Sequence, residues 1–171
     1  MKFNLKIRKF DFNLRSENLK MNNPKYLYKS EESLKIYEFK SEGPKGVILK
    51  MVEYSETGTE NIYNLAFGDF NEKTNTIDDS SITNNGDSIK VLATVASTVY
   101  AFTEKYPKAW IFATGSTTIR TRLYRMGITN NLVEIKEDFK VFGLTIEENK
   151  WEEFIVGEDY EAFLITKKEN I

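Results

Sequence analysis

The chain has 171 residues, and its 24 lysines and arginines against 26 aspartates and glutamates leave no overall basic field to attract nucleic acid. It contains neither histidine nor cysteine, which excludes histidine-based catalytic triads, thiolate nucleophiles and zinc sites built from either residue. Any acid–base chemistry must therefore rest on carboxylates, lysine or tyrosine.

A hydrophobic content of 40% with 29% charged residues is ordinary for a globular protein, and the length suits a single domain over residues 1–171. No apolar run approaches the ~18 residues of a membrane span, so we expect no membrane contact. The opening stretch MKFNLKIRKF alternates like an edge strand and lacks the apolar core of a signal peptide. Together with the lack of cysteine, this pattern predicts a cytoplasmic protein.

Three runs rich in Ile, Val, Tyr and Phe predict antiparallel strands joined by hairpins. They are LKIYEFKS, KGVILKMVEYSE and ENIYNLAFGDF, separated by the turn signals EGPKG and SETGT. In the middle run, Leu49 and Met51 alternate with Lys50 and Val52, so one face should enter the core and the other should be partly hydrated. Before these strands we expect a polar connection with a short extended piece at 26–28. After them comes a polar segment with at most a short strand near Ile77 or Ile82.

The longest helical pattern is SIKVLATVASTVYAFTEKY, residues 88–106, where two neighbouring apolar stripes predict a helix covered on most sides. Its first stripe includes Ile89. A turn precedes the helix and Pro107 closes it. AWIFAT is then a short apolar strand.

GSTTIRTRLYRMG predicts a short helix that begins at a Ser116 or Thr117 cap and stops at Gly127. A 100° period places Ile119, Leu123 and Met126 towards the sheet and leaves Arg120 and Tyr124 on the wetter side. NLVEI and FKVFGLTI predict two further strands, and the remaining residues predict a terminal helix and strand. The order is that of an α+β domain with a mainly antiparallel sheet, one long helix and one short helix.

The N-termini of these two helices are the candidate anion sites, because the first backbone N–H groups of a helix have no partner within it. The residues concerned are Asn85, Gly86, Ser88, Gly115, Ser116 and Arg120. The alternative is structural: Asp87 occupies the positive end of the long helix, Gly115 serves a turn and the arginines pair with nearby acids.

Strand-end carboxylates at Glu53 and Asp69 are the candidate functional acids. Aromatic residues beside lysines along the hairpin strands are typical of single-stranded nucleic-acid platforms, and equally of a sheet packed under a helix. The aromatic residues are Tyr37, Tyr54, Tyr63, Phe67 and Phe70.

The stretch AWIFATGSTTIRTRLYRMGI, residues 109–128, resembles the part of GCN5-related N-acetyltransferases in which a strand feeds a helix ending in a Leu-Tyr-x-x-x-Gly-Phe type signature. LYRMGI carries that shape with Ile128 in place of the aromatic residue. The upstream order is also similar: hairpin strands, a glycine loop, a long helix and then this strand.

This resemblance implies a mixed sheet splayed to admit acyl-coenzyme A, a pyrophosphate at the N-terminus of the long helix, and Tyr124 as general acid towards the departing thiolate. The family's phosphate loop is Arg/Gln-x-x-Gly-x-Gly/Ala, whereas TNNGDSIK supplies one glycine and no basic residue in the loop. The chain also resembles an uncharacterised family of short proteins from Bacteroidota, through YNLAFGD, KVLATV and GSTTIRTRLY.

Because the phosphate loop is poor, the leading hypothesis is a noncatalytic or degenerate acetyltransferase-like domain that binds a protein partner or a small anionic ligand. The first alternative is an active acyl-coenzyme A-dependent N-acyltransferase with Tyr124 as acid and Glu53 as base. The second alternative is a nucleic-acid-binding module that uses the aromatic hairpin face.

Overall fold

The computed structural model describes residues 22–78 and 83–171 in full and residues 13–15 as backbone. These residues form ten strands and three α-helices. The strands are β1 (Asn13–Arg15), β2 (Tyr28–Ser30), β3 (Ile36–Gly43), β4 (Gly46–Glu56), β5 (Ile62–Asn71), β6 (Thr76–Asp78), β7 (Trp110–Ala113), β8 (Phe139–Thr145), β9 (Trp151–Glu153) and β10 (Tyr160–Lys167). The helices are α1 (Ser88–Lys105), α2 (Thr118–Asn130) and α3 (Leu132–Asp138), and a 3₁₀ turn follows at Lys168–Asn170.

All ten strands belong to one sheet, with the order β1-β2-β3-β4-β5-β7-β10-β8-β9 and with β6 added alongside β5. Every described pair of neighbouring strands is antiparallel except β5 and β7, which run parallel. A parallel pair needs a long crossover connection, and α1 lies in that connection. The predicted α+β class with a mainly antiparallel sheet is therefore confirmed.

The alternation predicted in the hairpin strands is confirmed by the contacts of β4 with α1. The Tyr54 hydroxyl lies 2.8 Å from the Thr98 hydroxyl, and the Tyr54 ring stacks on Phe102 at 4.1 Å between centroids. Since successive strand residues point to opposite faces, Lys50, Val52 and Tyr54 share the face that carries α1. We call this side of the sheet the helix face.

The helix face and α1 enclose the core, and all of the named hairpin aromatic residues except Phe70 belong to it or pack against it. Tyr37, Tyr54 and Phe67 are buried, while Tyr63 and Phe70 are half-buried. The predicted long helix is also confirmed, ending one residue earlier than expected, although Ile89 at its start is exposed. A nucleic-acid platform built on Tyr37, Tyr54 and Phe67 is not present at the surface.

The strand predicted at NLVEI is wrong, because these residues open α3. Asn131 joins α2 to α3: its side-chain amide donates to the Gly127 carbonyl at 2.8 Å, and its own carbonyl accepts from the Ile135 amide at 3.0 Å. Ile135 is buried in the core. A short apolar run does not by itself distinguish a strand from a buried helical turn, and tertiary packing decided it here.

The helix stop predicted at Gly127 is also wrong, since α2 continues to Asn130. An added Cβ at Gly127 would lie 3.4 Å from Leu92 of α1. Gly127 therefore lies where the two helices approach each other closely, and it does not cap a terminus. Of the predicted terminal helix, only the 3₁₀ turn is present, because the final segment forms β9 and β10.

The remaining expectations concern short or peripheral segments. The extended piece predicted at 26–28 is β2, displaced by two residues, and the short strand near Ile77 is β6. Ile82 and the alternating segment 1–10 lie outside the described residues. Within the described residues, none of the helices has the length and apolar character to cross a membrane.

Candidate functional site

The sheet has a gap along one side of β5. β7 pairs with β5 at Ile62–Leu65 and β6 pairs with it at Asp69–Asn71. In the described chain, the residues between them, Ala66–Gly68, pair only with β4. The backbone on this side of β5 therefore needs hydrogen-bond partners from outside the sheet.

Side chains of α2 supply those partners. The Arg120 guanidinium donates to the Phe67 carbonyl, and the Tyr124 hydroxyl donates to the Leu65 carbonyl at 3.2 Å. The Tyr124 ring packs edge-on against Phe67, with centroids 5.3 Å apart. The gap beside β5 is thus filled from α2.

The predicted orientation of α2 is consequently wrong. Arg120 and Tyr124 are only 4% and 7% exposed, whereas Ile119, expected to face the sheet, is 65% exposed. Leu123 and Met126 are half-buried against the core, as their predicted position requires. The buried side of α2 is the one whose polar groups can reach the Leu65 and Phe67 carbonyls of β5.

A cavity of about 230 Å³ lies between the N-terminus of α1, the strands β4 and β5, and α2. Three of the predicted anion-site residues line it: Asn85, Ser88 and Arg120. Lys50 adds a second cation, Asp69 and Asp87 add two carboxylates, and side chains of α1 and α2 complete an apolar wall. The structure therefore brings together parts of two sites that the sequence had placed on separate helices.

Lys50 and Asp69 form a buried ion pair in the cavity wall. They are register partners on β4 and β5, and Lys50 is 6% exposed. The Lys50 ammonium contacts one oxygen of the Asp69 carboxylate, and the Thr83 hydroxyl donates to the other. Pairing of this kind offsets the desolvation cost of a buried charge.

The N-terminus of α1 opens at the same cavity. Asp87 is the N-cap residue, but its carboxylate makes no cap hydrogen bond and accepts instead from Tyr26 at 2.7 Å and Ser41 at 2.6 Å. The first-turn amides of α1 therefore have no side-chain cap from Asp87. The sequence had suggested a structural alternative, in which the Asp87 carboxylate occupies this positive end of α1. In the structure that carboxylate bonds to Tyr26 and Ser41 instead.

The Asn85 side chain has a structural role at the edge of the cavity, where it binds the β3–β4 turn. Its side-chain amide nitrogen donates to the Gly46 carbonyl at 3.0 Å and to the Ser41 hydroxyl at 3.2 Å, and its oxygen accepts from the Lys45 amide at 2.8 Å. These bonds hold the β3–β4 turn against the start of α1. Gly86 follows with a φ of 75°, a conformation that favours glycine.

Gly115 and Ser116 lie at the start of α2 and do not line the cavity. An added Cβ at Gly115 would lie 2.3 Å from the Thr121 amide nitrogen, so close packing on the first turn of α2 explains the glycine. Thr117, one of the two predicted cap residues, accepts from the Arg120 amide at 3.3 Å. Ser116 is exposed beside it.

The two candidate catalytic residues lie on opposite faces of the sheet. Tyr124 lines a small apolar cavity of about 40 Å³ under α1, on the helix face. Glu53 follows Val52 on β4 and therefore points away from that face. Burial raises the pKa of the Glu53 carboxyl above its usual range. No acid–base pair is formed by these two residues in the structure.

Sequence reasoning singled out Asp69 without its partner Lys50. The available signal was the position of Lys50 among Ile48 and Val52, a charge on an otherwise apolar side of a strand. Its pairing with Asp69 depends on the β4–β5 register. Among the described residues, no group of three or more carboxylates is close enough together to hold a metal ion.

The fold and the cavity define a class: an α+β protein with a mostly antiparallel sheet, three helices in the described residues, and a charged cavity where α1 begins. The chain belongs to a family of proteins of unknown function, DUF6934, whose model matches residues 22–168. No curated protein and no solved structure matches the chain.

Proposed function

We propose that this protein is a noncatalytic, acetyltransferase-like domain that binds a small anionic ligand in the cavity between α1 and α2. The order of elements supports the acetyltransferase-like part. Hairpin strands β3–β5 precede a long helix, α1, which leads to β7 beside β5, and α2 follows directly. That is the order on which the sequence resemblance rests.

The filled gap beside β5 is the observation that carries the noncatalytic part of the proposal. In the resemblance, a splayed sheet admits acyl-coenzyme A. Here Arg120 and Tyr124 occupy the space between β6 and β7 and bond to the β5 carbonyls. A Tyr124 hydroxyl acting as a general acid would have to leave the Leu65 carbonyl, and Glu53 lies on the opposite face.

The amide end of α1 supports an anionic ligand in the cavity. Lys50 and Arg120 bring two positive charges to the wall, the Asp69 and Asp87 carboxylates balance them, and the helix end adds a positive partial charge. A volume of about 230 Å³ is below the ~300–1,000 Å³ of pockets for drug-sized ligands. It suits a small carboxylate or phosphate much better than coenzyme A.

Thermal unfolding of the full chain tests this proposal. We expect oxalate, pyruvate or inorganic phosphate at saturating concentration to raise Tm, because a ligand at 100 times its Kd adds about 2.7 kcal/mol to stability. Acetyl-coenzyme A should give no shift. Exchange of the exposed Lys45 in a Lys45→Met variant should leave the small-anion shift unchanged.

Two results would contradict the proposal. An acetyl-coenzyme A shift accompanied by acetyl transfer to an amine would favour the active N-acyltransferase, with Tyr124→Phe then expected to abolish turnover. If none of the small anions raises Tm, an anionic ligand is excluded. Binding of a protein partner is then the remaining form of the hypothesis.

A further inference from the structure

We propose that Lys50 captures a small 2-oxo acid as an imine, so that the cavity is a carbonyl-binding site. This inference rests on the proposed ligand-binding function and names the chemical class of the ligand. It is carried by the placement of a buried primary amine, a carboxylate and an arginine around one cavity.

The Lys50 amine is held in place by its surroundings. Its strand lies inside the sheet between β3 and β5, and the ammonium is directed to the Asp69 carboxylate. Asp69 is itself oriented by the Thr83 hydroxyl. Burial removes water from the Lys50 amine, which is one way in which a lysine becomes a nucleophile, and the Asp69 carboxylate lies in contact with it as a proton acceptor.

The reaction needs no reagent other than the 2-oxo acid. The Lys50 ammonium gives one proton to Asp69, and the nitrogen lone pair attacks the carbonyl carbon. A second proton moves from nitrogen to the former carbonyl oxygen, which gives a carbinolamine. Asp69 then returns its proton to that hydroxyl, the C–O bond breaks, and water leaves. The protonated imine keeps one positive charge opposite the Asp69 carboxylate, so atoms and charge balance.

Arg120 is suitably placed for the carboxylate of the same ligand. Its guanidinium bonds to the carbonyl of Phe67, two residues before Asp69 on β5. Arg120 and Lys50 both line the cavity, so the guanidinium can pair with the ligand's carboxylate while the amine takes its carbonyl carbon.

The remaining residues of the cavity wall determine which side chain of the 2-oxo acid can bind. Leu92, Leu123 and Met126 form an apolar wall, and the exposed residues Asn84 and Ser88 lie at the mouth. A 2-oxo acid with a short branched aliphatic chain would place that chain against the apolar wall. A second carboxylate, as in 2-oxoglutarate, would be desolvated there without a partner.

Reductive trapping tests the inference directly. The full chain is incubated with 2-oxoisovalerate and sodium cyanoborohydride, which reduces an imine to a stable amine, and the modified lysine is located by peptide mass mapping. We expect the adduct on Lys50 and not on the exposed Lys40 or Lys45. 2-Oxoglutarate should give less of it.

Matched variants test whether the Lys50 amine forms the adduct. Lys50→Arg keeps a cation for Asp69 but has no primary amine, so it should lose the adduct, while the oxalate shift of the wild type tests the anion site separately. Lys45→Arg should behave as the wild type. If Lys50→Arg does not fold, peptide mass mapping of the adduct on the wild-type protein tests the imine by itself.

Adducts confined to exposed lysines, with the oxalate shift retained, would overturn the imine and leave the anion site standing. An absence of both the Lys50 adduct and every small-anion shift in the wild type would overturn both proposals.

Discussion

Arg120 shows at the scale of one residue why a polar side chain can lie in the core. Its guanidinium satisfies the Phe67 carbonyl, which neither β6 nor β7 reaches within the described residues, and it lies 5.1 Å from the centre of the Phe67 ring. A buried carbonyl without a partner costs more than most surface interactions contribute. The arginine was noticeable in the sequence, but its partner is a backbone atom that no sequence pattern marks.

We expect Arg120→Met to lower the free energy of unfolding by about 1–3 kcal/mol, because it leaves the Phe67 carbonyl buried and unsatisfied. Urea unfolding followed by circular dichroism measures the change. Arg122→Met is the matched control on the same helix, and because Arg122 is exposed its effect should stay within about 0.5 kcal/mol. Equal effects of the two substitutions would show that the Phe67 contact contributes little.

At the scale of elements, α2 shows how an amphipathic pattern can mislead. The 100° period of a helix predicts that its apolar residues Ile119, Leu123 and Met126 face the sheet. In the structure, the helix presents Arg120 and Tyr124 to the strands. The gap between β6 and β7 accounts for the position of Arg120, since it leaves the Phe67 carbonyl without a neighbouring strand, and Tyr124 bonds to the Leu65 carbonyl beside the gap. α1, which packs on the helix face of the sheet, follows its hydrophobic pattern except at Ile89, which is exposed.

Two glycines of this region should respond oppositely to alanine. Gly127→Ala should raise the free energy of unfolding by about 0.5–1 kcal/mol, because alanine favours a helix interior and its Cβ meets Leu92 at 3.4 Å, an ordinary contact. Gly115→Ala should lower it, because its Cβ would come within 2.3 Å of the Thr121 amide nitrogen. Thermal unfolding of both variants checks this, and a stabilising Gly115→Ala would contradict the close approach.

At the scale of the whole molecule, the last strand joins two parts of the sheet. β10 inserts between β7 and β8 and pairs with both, and its Phe163 is completely buried. Strands that are distant in the chain therefore depend on the final residues for their pairing.

Removal of residues 160–171 should abolish cooperative unfolding and reduce soluble expression, because β7 and β8 would both become unpaired edges. Removal of residues 168–171 is the control, since it deletes only the 3₁₀ turn and the two hydrogen bonds of Asn170. Circular dichroism and thermal unfolding compare the two truncations. A folded 1–159 chain would show that the rest of the sheet is stable without β10.

The sequence by itself determined the strands β3, β4 and β5, the extent of α1, the absence of histidine and cysteine chemistry, and the α+β class. These features follow from local periodicity and composition, which each segment carries on its own. Asn85, Ser88 and Arg120 were also identifiable as candidates from helix starts and charge.

Only the tertiary structure decided that these three residues share a cavity with Lys50, that α2 turns its arginine and tyrosine inwards, and that Glu53 and Tyr124 lie on opposite faces. The physical reason is the parallel pairing of β7 with part of β5. That register leaves Ala66–Gly68 without a second neighbouring strand among the described residues, and long-range pairing of this kind is not encoded in any single segment of the chain.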